Sequence, residues 1–249
     1  SPSRGLGDVY KRQYMRRIRC VYNKAIEDGD AEYIPGLFQG VFTGVESKRK
    51  KSLSLENQHK LMTVKVESEV LRETQLVVCL LFQYAGMSFV DFAHLKERNI
   101  KNGILDYNRQ KTGTPMRLEI LDTAELMRKE LMGDKKPASG YLFPFLSGTK
   151  TGYEAYLEYN AALSRFNRNL KALKKAAGIA SDVTSYTIRH SFAMALKEQN
   201  VPIEMISELL GHKSIKTTQI YLRSFSLEKM TEVNSTCFGC VYNYVSKVG

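Results

Sequence analysis

Between Thr184 and Tyr221 the sequence reads TSYTIRHSFAMALKEQNVPIEMISELLGHKSIKTTQIY. Arg189 stands beside His190, Gly211 and His212 follow a helix-like run, and Thr217, Thr218 and Tyr221 come next, with Tyr221 nine positions after His212. A tyrosine hydroxyl can act as a nucleophile once its neighbours help it lose a proton held at a pKa of about 10. An arginine offers a planar fork that matches two phosphate oxygens. A histidine donates hydrogen bonds or moves protons near neutral pH. Fixed donors of this kind stabilise charge developing on a phosphorane-like transition state. A nucleophile, cations around the phosphate and a proton donor for the leaving oxygen are what metal-free cleavage of a DNA phosphodiester requires. Taken singly, each residue has an ordinary alternative: half-buried packing for the tyrosine, a cap for the histidine, surface charge for the Arg-His pair. The order and spacing carry the argument.

That spacing, RH…LGH…TT..Y, resembles the C-terminal catalytic boxes of the tyrosine recombinases, the phage-type integrases. The resemblance covers residues 14–249 and is most specific at 184–221. It implies that Tyr221 attacks the scissile phosphate, forming a 3′-phosphotyrosyl bond and freeing a 5′-hydroxyl, while Arg189 and His212 hold the phosphate and His190 is structural. The phosphodiester energy stays in the covalent link, so the resemblance implies no cofactor, metal or ATP. It implies double-stranded DNA as partner, self-association into a synaptic tetramer, and exchange through a Holliday junction. Accessory DNA-bending factors and a role in integrating or excising a mobile element are further implications; a chromosome-dimer resolvase would keep the full catalytic set.

Two positions depart from the family pattern. After Gly86 and an apolar residue the pattern calls for the first catalytic arginine, and Ser88 stands there. Serine gives one neutral hydrogen bond where arginine gives a charged fork. Arg98, Arg109 and Arg117 are the candidates to compensate. Three residues before Arg189 the pattern has histidine, and this chain has Tyr186, whose hydroxyl can bond a phosphate oxygen but does not move protons at neutral pH as imidazole does. Integrases of Bacteroides-type mobile elements are similar at both positions. The family carries its catalytic lysine on a β-turn, and Lys111, in KTGTP between two alternating segments, matches it as the general acid for the leaving 5′-oxygen.

These residues need a scaffold, and the pattern predicts a mainly α-helical domain with a small antiparallel sheet, the tyrosine recombinase catalytic-domain fold, over residues 53–249. Ser54 is expected as a helix N-cap. A helix with an apolar centre, LVVCLLFQYAG, should run over 67–86 and end at Gly86. Strands near 103–109 and 115–120 read as a hairpin. Asp122 is expected to cap a helix through Leu131, and YLFPFL at 141–146 to be buried. A long amphipathic helix over 152–177 should turn Tyr156, Tyr159, Leu163, Phe166, Leu170 and Leu173 to one side. Its C-terminal half gathers Arg165, Arg168, Lys171, Lys174 and Lys175. A short helix at 203–210 should stop at Gly211, and Ser214 should cap the helix of Tyr221. Residues 225–249 carry an apolar stripe that would pack in cis or dock on a neighbouring protomer.

Upstream, 14–27 has helical spacing and resembles the last helix of the core-binding domain that precedes the catalytic domain in the family. Residues 28–52, with Pro35 and the run Lys48-Arg49-Lys50-Lys51, read as a linker. Residues 1–13 read as a disordered terminus or as translated adapter, since DVYKRQ is encoded by a sequence resembling a transposase mosaic end used in library preparation; the gene would then continue differently upstream of Tyr14.

The 249 residues are 43% hydrophobic and 25% charged, with a net charge of +11 and a pI of about 9.4. That balance fits a soluble globular protein with a polyanionic partner, nucleic acid first. No run of about 18 apolar residues suggests a membrane span, and no apolar signal core opens the chain. Cys20, Cys79, Cys237 and Cys240 hold a single Cys-x-x-Cys with no further ligands nearby, which reads as free thiols in a reducing cytoplasm; the resemblance implies a bacterial cytoplasm, with the protein at the nucleoid. The rival reading is a catalytically impaired DNA-binding or architectural protein of the same fold; a third is a topoisomerase-like relaxing enzyme. Covalent attachment to DNA through Tyr221 separates the recombinase from the DNA-binding rival; relaxing supercoils without a paired site would mark the topoisomerase-like enzyme.

Overall fold

The computed structural model describes the backbone of residues 6–38, 52–137, 140–222, 231 and 234–236; its side-chain description begins at residue 14 and leaves out 220 and 221. The basic run at 48–51 and nearly all of the tail at 225–249 lie outside the described residues. The chain divides into two units, Ser1–Arg49 and Lys50–Gly249.

In the first unit, α1 (Leu6–Asp28) starts eight residues ahead of the helix predicted from Tyr14. Within the stretch read as a linker, the chain folds back on this helix: the Tyr22 hydroxyl donates to Glu32 O at 3.0 Å and accepts from Ile34 N at 2.6 Å, and its ring meets Phe38 at 5.7 Å. Ile18 and Val21 on α1 remain exposed.

The second unit is mainly helical with one small antiparallel sheet. It begins with α2 (Leu55–Thr63), whose N-cap Ser54 accepts from Asn57 N at 3.2 Å. Then comes α3 (Glu69–Gln83), in which every residue from Thr74 to Leu81 is buried. A helix that is apolar on all sides needs neighbours on all sides, and α3 packs against α5 (Asp122–Met132), α6 (Gly152–Ala176) and α7 (Ser185–Glu198). Helix α3 stops at Gln83, short of the predicted end. Ala85 and Gly86 both take positive φ, 54° and 64°, and Met87 N closes back on Leu81 O at 2.9 Å. Only glycine fits at 86 without strain, since a Cβ there would lie 2.7 Å from Phe192 Cδ1.

The short α4 (Phe89–Ala93) carries Phe89 and Phe92 into an aromatic cluster. Phe92 stacks on Phe143 at 4.1 Å and Phe89 on Phe166 at 4.7 Å. This is why YLFPFL is largely buried: Leu142, Phe143 and Leu146 are all in the core. The sheet has order β1 (Ile100–Lys101), β2 (Ile104–Asn108), β3 (Pro115–Glu119), with Leu105 opposite Leu118 and Tyr107 opposite Met116. Along β2 burial alternates with period 2, Leu105 and Tyr107 inward, and the alternation continues past the strand end to Arg109.

Three details correct the sequence reading. Leu121, not Asp122, occupies the N-cap of α5, and Asp122 is its first residue, where its charge still favours the helix dipole. Tyr156 faces solvent, half-exposed and stacked on Tyr153 at 6.0 Å, while Phe166, Leu170 and Leu173 line the buried side of α6. Lys174 does not join the exposed basic residues of that helix; its ammonium donates to Ala180 O and Ser181 O, holding the turn after Gly178. Helices α8 (Ile203–Leu209) and α9 (Ile215–Tyr221) complete the described unit. A second small core of Ala193, Ile206 and Leu210, flanked by Phe192, Leu196, Val201 and Leu222, joins them to α7. Among the described residues no helix is long and apolar enough to cross a membrane.

Candidate active site

Helix α7 places the Arg-His pair. Thr184 caps it, accepting from Thr187 N at 3.3 Å while the Thr187 hydroxyl accepts from Thr184 N at 3.1 Å. This reciprocal cap sets the helix phase. Ser191 ties the helix to the start of the unit by accepting from Leu53 N at 2.8 Å. With that phase, Arg189 and His190 point into the protein, 5% and 1% exposed, and Tyr186, one turn earlier, is 45% exposed.

The Arg189 guanidinium is held by two carbonyls. Nη1 donates to Gly86 O at 2.8 Å and Nη2 donates to Leu210 O. Gly86 sits two residues before Ser88, and Leu210 two residues before His212. One buried cation thus joins the loop after α3, where the first arginine of the pattern is missing, to the Leu-Gly-His turn after α8. Gly211 makes that turn with φ 60°. His212, half-buried, faces Thr218 Oγ1 from Nδ1 at 2.9 Å, and Thr218 is fully buried. This contact ties the turn to α9, whose last residue is Tyr221. Ser214 stands at the N-cap of α9, as the sequence predicts, but its side chain makes no cap bond. The backbone of Tyr221 lies on the helix; the position of its phenol is outside the described residues.

Ser88 stands at the N-cap of α4 and its Oγ donates to Asp91 Oδ2 at 2.6 Å. Asp91 is buried and its Oδ1 accepts from Gln110 N at 2.7 Å. The same Oδ2 lies 3.5 Å from Arg109 Nε, so Ser88 and Arg109 share one carboxylate oxygen. Arg109 Nη1 donates to Gly211 O at 2.8 Å. Both guanidiniums also act on the buried Tyr107 phenol. Burial first, then the charge of Asp91, hold its pKa above the ordinary value, and Arg189 and Arg109 pull it back.

Lys111 occupies the turn from Arg109 to Thr114, which Gly113 N→Arg109 O at 2.8 Å and Arg109 N→Thr114 O at 2.9 Å close. It is exposed. The structure therefore brings Ser88, Arg189 and His212 around one pair of loops and presents Lys111 on the adjoining hairpin. Asp91 is the residue the sequence reading missed. Its signal was an acid inside the apolar segment Phe89-Val90-Asp91-Phe92-Ala93, where a charge is buried only with partners.

The model of the Phage integrase family matches residues 51–228. Tyrosine recombinase XerA of Pyrococcus furiosus is 32% identical over 177 residues, 70% of this chain and 57% of the relative. Tyrosine recombinase XerD of Lacticaseibacillus casei is 52% identical over 54 residues, 22% of this chain and 18% of the relative. The chain thus spans less than two thirds of either relative. Among solved structures, the XerH site-specific recombinase bound to its palindromic difH substrate in a post-cleavage complex superposes with a TM-score of 0.65 at 20% identity, over 93% of this chain and 68% of that one. The Tn1549 transposon integrase in complex with a circular intermediate DNA gives a TM-score of 0.63 at 15% identity, over 88% and 77%. At these identities the likeness is one of fold.

Proposed function

The chain belongs to the Phage integrase family, and from that premise we propose that it is the catalytic portion of a site-specific tyrosine recombinase that cuts and rejoins double-stranded DNA. The observation that supports this most is the joining of Arg189, His212 and the α9 backbone of Tyr221 through the Leu210–Gly211 turn. In this reading the scissile phosphate lies against Arg189 and His212. The Tyr221 oxygen attacks phosphorus as its proton leaves, the bond to the 5′-oxygen breaks, and Lys111 protonates that oxygen. A 5′-hydroxyl from a second duplex then attacks the 3′-phosphotyrosyl bond, and Tyr221 leaves with a proton restored. His212 serves as a donor to a phosphate oxygen, its ring held in place by the contact of Nδ1 with Thr218 Oγ1.

The partners in this reading are DNA and further copies of the chain. Solved structures of the same fold hold DNA, among them a lambda integrase tetramer bound to a Holliday junction, and this supports DNA as partner. The exposed Arg165, Arg168, Lys171 and Lys175 on α6 supply a basic stripe suited to phosphate contacts. The site of action is the bacterial nucleoid, and the substrate the ends of a mobile element. The catalytically impaired DNA-binding reading draws on Ser88 and Tyr186, which remove a charged fork and an imidazole from the pattern.

The deciding experiment uses the protein as encoded at its locus, its Tyr221→Phe variant, and a nicked suicide duplex carrying the joined ends of the element. The recombinase reading expects a detergent-stable protein–DNA adduct that the variant does not form. Protein that retards this duplex in a gel and never forms the adduct would favour the DNA-binding reading instead.

A further inference from the structure

We propose that Arg109 is a second phosphate-binding residue of the site, standing in for the arginine absent at Ser88; this rests on the recombinase reading above. Of the three arginines left open by the sequence, Arg98 is exposed in the 3-10 turn Glu97–Asn99 and Arg117 is exposed on the outward face of β3. Arg109 alone of the three is buried, at 9% exposure, and it lies where the missing side chain would act. Its Nη1 holds Gly211 O while Arg189 holds Leu210 O. Two guanidiniums therefore sit on adjacent carbonyls of one turn, whose Cα atoms are about 3.8 Å apart. Two forks held on neighbouring carbonyls of one turn are placed to meet the two non-bridging oxygens of one phosphate.

The fork of Arg109 is unfilled. A guanidinium has five N–H donors, and among the described residues only Nη1 of Arg109 donates a hydrogen bond; Nε is buried without an acceptor. Asp91 pairs with Arg109 as an ion but fills none of its N–H donors. Its two oxygens already accept from Ser88 Oγ and Gln110 N, and its approach to Nε, 3.5 Å, is longer than a hydrogen bond. Unfilled N–H donors on a buried guanidinium are costly until an acceptor meets them. Gly211 gives the independent sign that this path is built for an arginine. A Cβ at 211 would lie 2.7 Å from Arg109 Cδ and 2.4 Å from Met116 Sδ, so the arginine stem runs through the space a side chain there would fill. Ser88, small and bonded to Asp91, leaves room for the same guanidinium.

The test measures adduct formation on two suicide duplexes, one with the natural scissile phosphate and one with a neutral methylphosphonate at that position, by the wild type, Arg109→Ala and Arg109→Gln. The Gln variant keeps a donor within reach of Gly211 O and serves if the Ala variant does not fold; thermal melting and gel retardation report folding and DNA binding. A phosphate-binding role expects a loss of about 10²-fold on the phosphate duplex and rates within a few-fold of wild type on the methylphosphonate, where no charge needs neutralising. The double variant Ser88→Arg/Arg109→Ala should regain activity on the phosphate. An equal loss on both duplexes marks a purely structural arginine and overturns the proposal, as does a folded variant that cleaves the phosphate at the wild-type rate. Wild-type protein that forms no adduct on either duplex overturns the recombinase reading itself, and is told apart because all variants then behave alike.

Discussion

Arg109 and Lys111 are two residues apart and stand in opposite surroundings. Arg109 is buried, bonded to a carbonyl 102 positions away and beside a buried carboxylate. Lys111 lies exposed on the turn, with no hydrogen bond or ion pair among the described residues. Arg189 belongs with Arg109, fixed by Gly86 O and Leu210 O. In the recombinase reading proposed above, the cations that would grip a phosphate are placed by folding, so binding DNA would not meet the cost of ordering them. The residue that would give a proton to the leaving oxygen is left for the bound duplex to position. The split matches the chemistry: a binding fork acts best when rigid, whereas a proton donor must reach its acceptor only as the bond breaks.

The contrast can be broken most forcefully at Arg189. Arg189→Ala leaves two carbonyls without their donor, and is expected to cost about 3 kcal/mol in urea unfolding and at least about 10²-fold in adduct formation. Lys111→Ala should separate the two effects. Stability should stay within about 0.5 kcal/mol of wild type, while adduct formation falls about 10²-fold; a duplex with sulfur in place of the 5′-bridging oxygen, a leaving group that needs no proton, should restore the rate. If Lys111→Ala instead destabilises the protein as Arg189→Ala does, the contrast fails.

Gly211→Ala tests the buried side without touching a charge. Its positive φ and the contacts on Met116 and Arg109 predict a loss of about 2 kcal/mol, with adduct formation lowered about 10-fold as the arginine stem is displaced. Thr218→Val removes the His212 partner and should cost about 1 kcal/mol. The smallest effect belongs to surface charge. Glu130 and Glu125 are held below their ordinary carboxyl value near 4.5, mainly by hydrogen bonds from Arg72 and Arg128. Because the folded pKa is the lower one, this stabilisation is present above that value and is lost as pH falls through the folded pKa. Both pairs are partly solvent-exposed, so each should contribute under about 1 kcal/mol in acid titration of the melting temperature.

The parts of the site that depend on nearby residues are legible in the sequence. The short helix ending near Gly211 and the hairpin around Lys111 are local patterns, each settled within a few turns of chain. Element ends are less legible: Leu121 takes the cap expected of Asp122, and α3 ends at Gln83, ahead of a two-residue positive-φ turn. Tyr156 departs from its expected place because a long helix offers more apolar residues than its buried stripe can hold.

The sequence by itself determined the family pattern, the order of Arg189, His212 and Tyr221, and the two departures at Ser88 and Tyr186. Which arginine meets the vacated position was decided only in three dimensions. Arg109 reaches Asp91 and Gly211 because α4, the hairpin and the turn after α8 pack together, and contacts between residues so far apart in the chain leave no periodicity in the sequence to read.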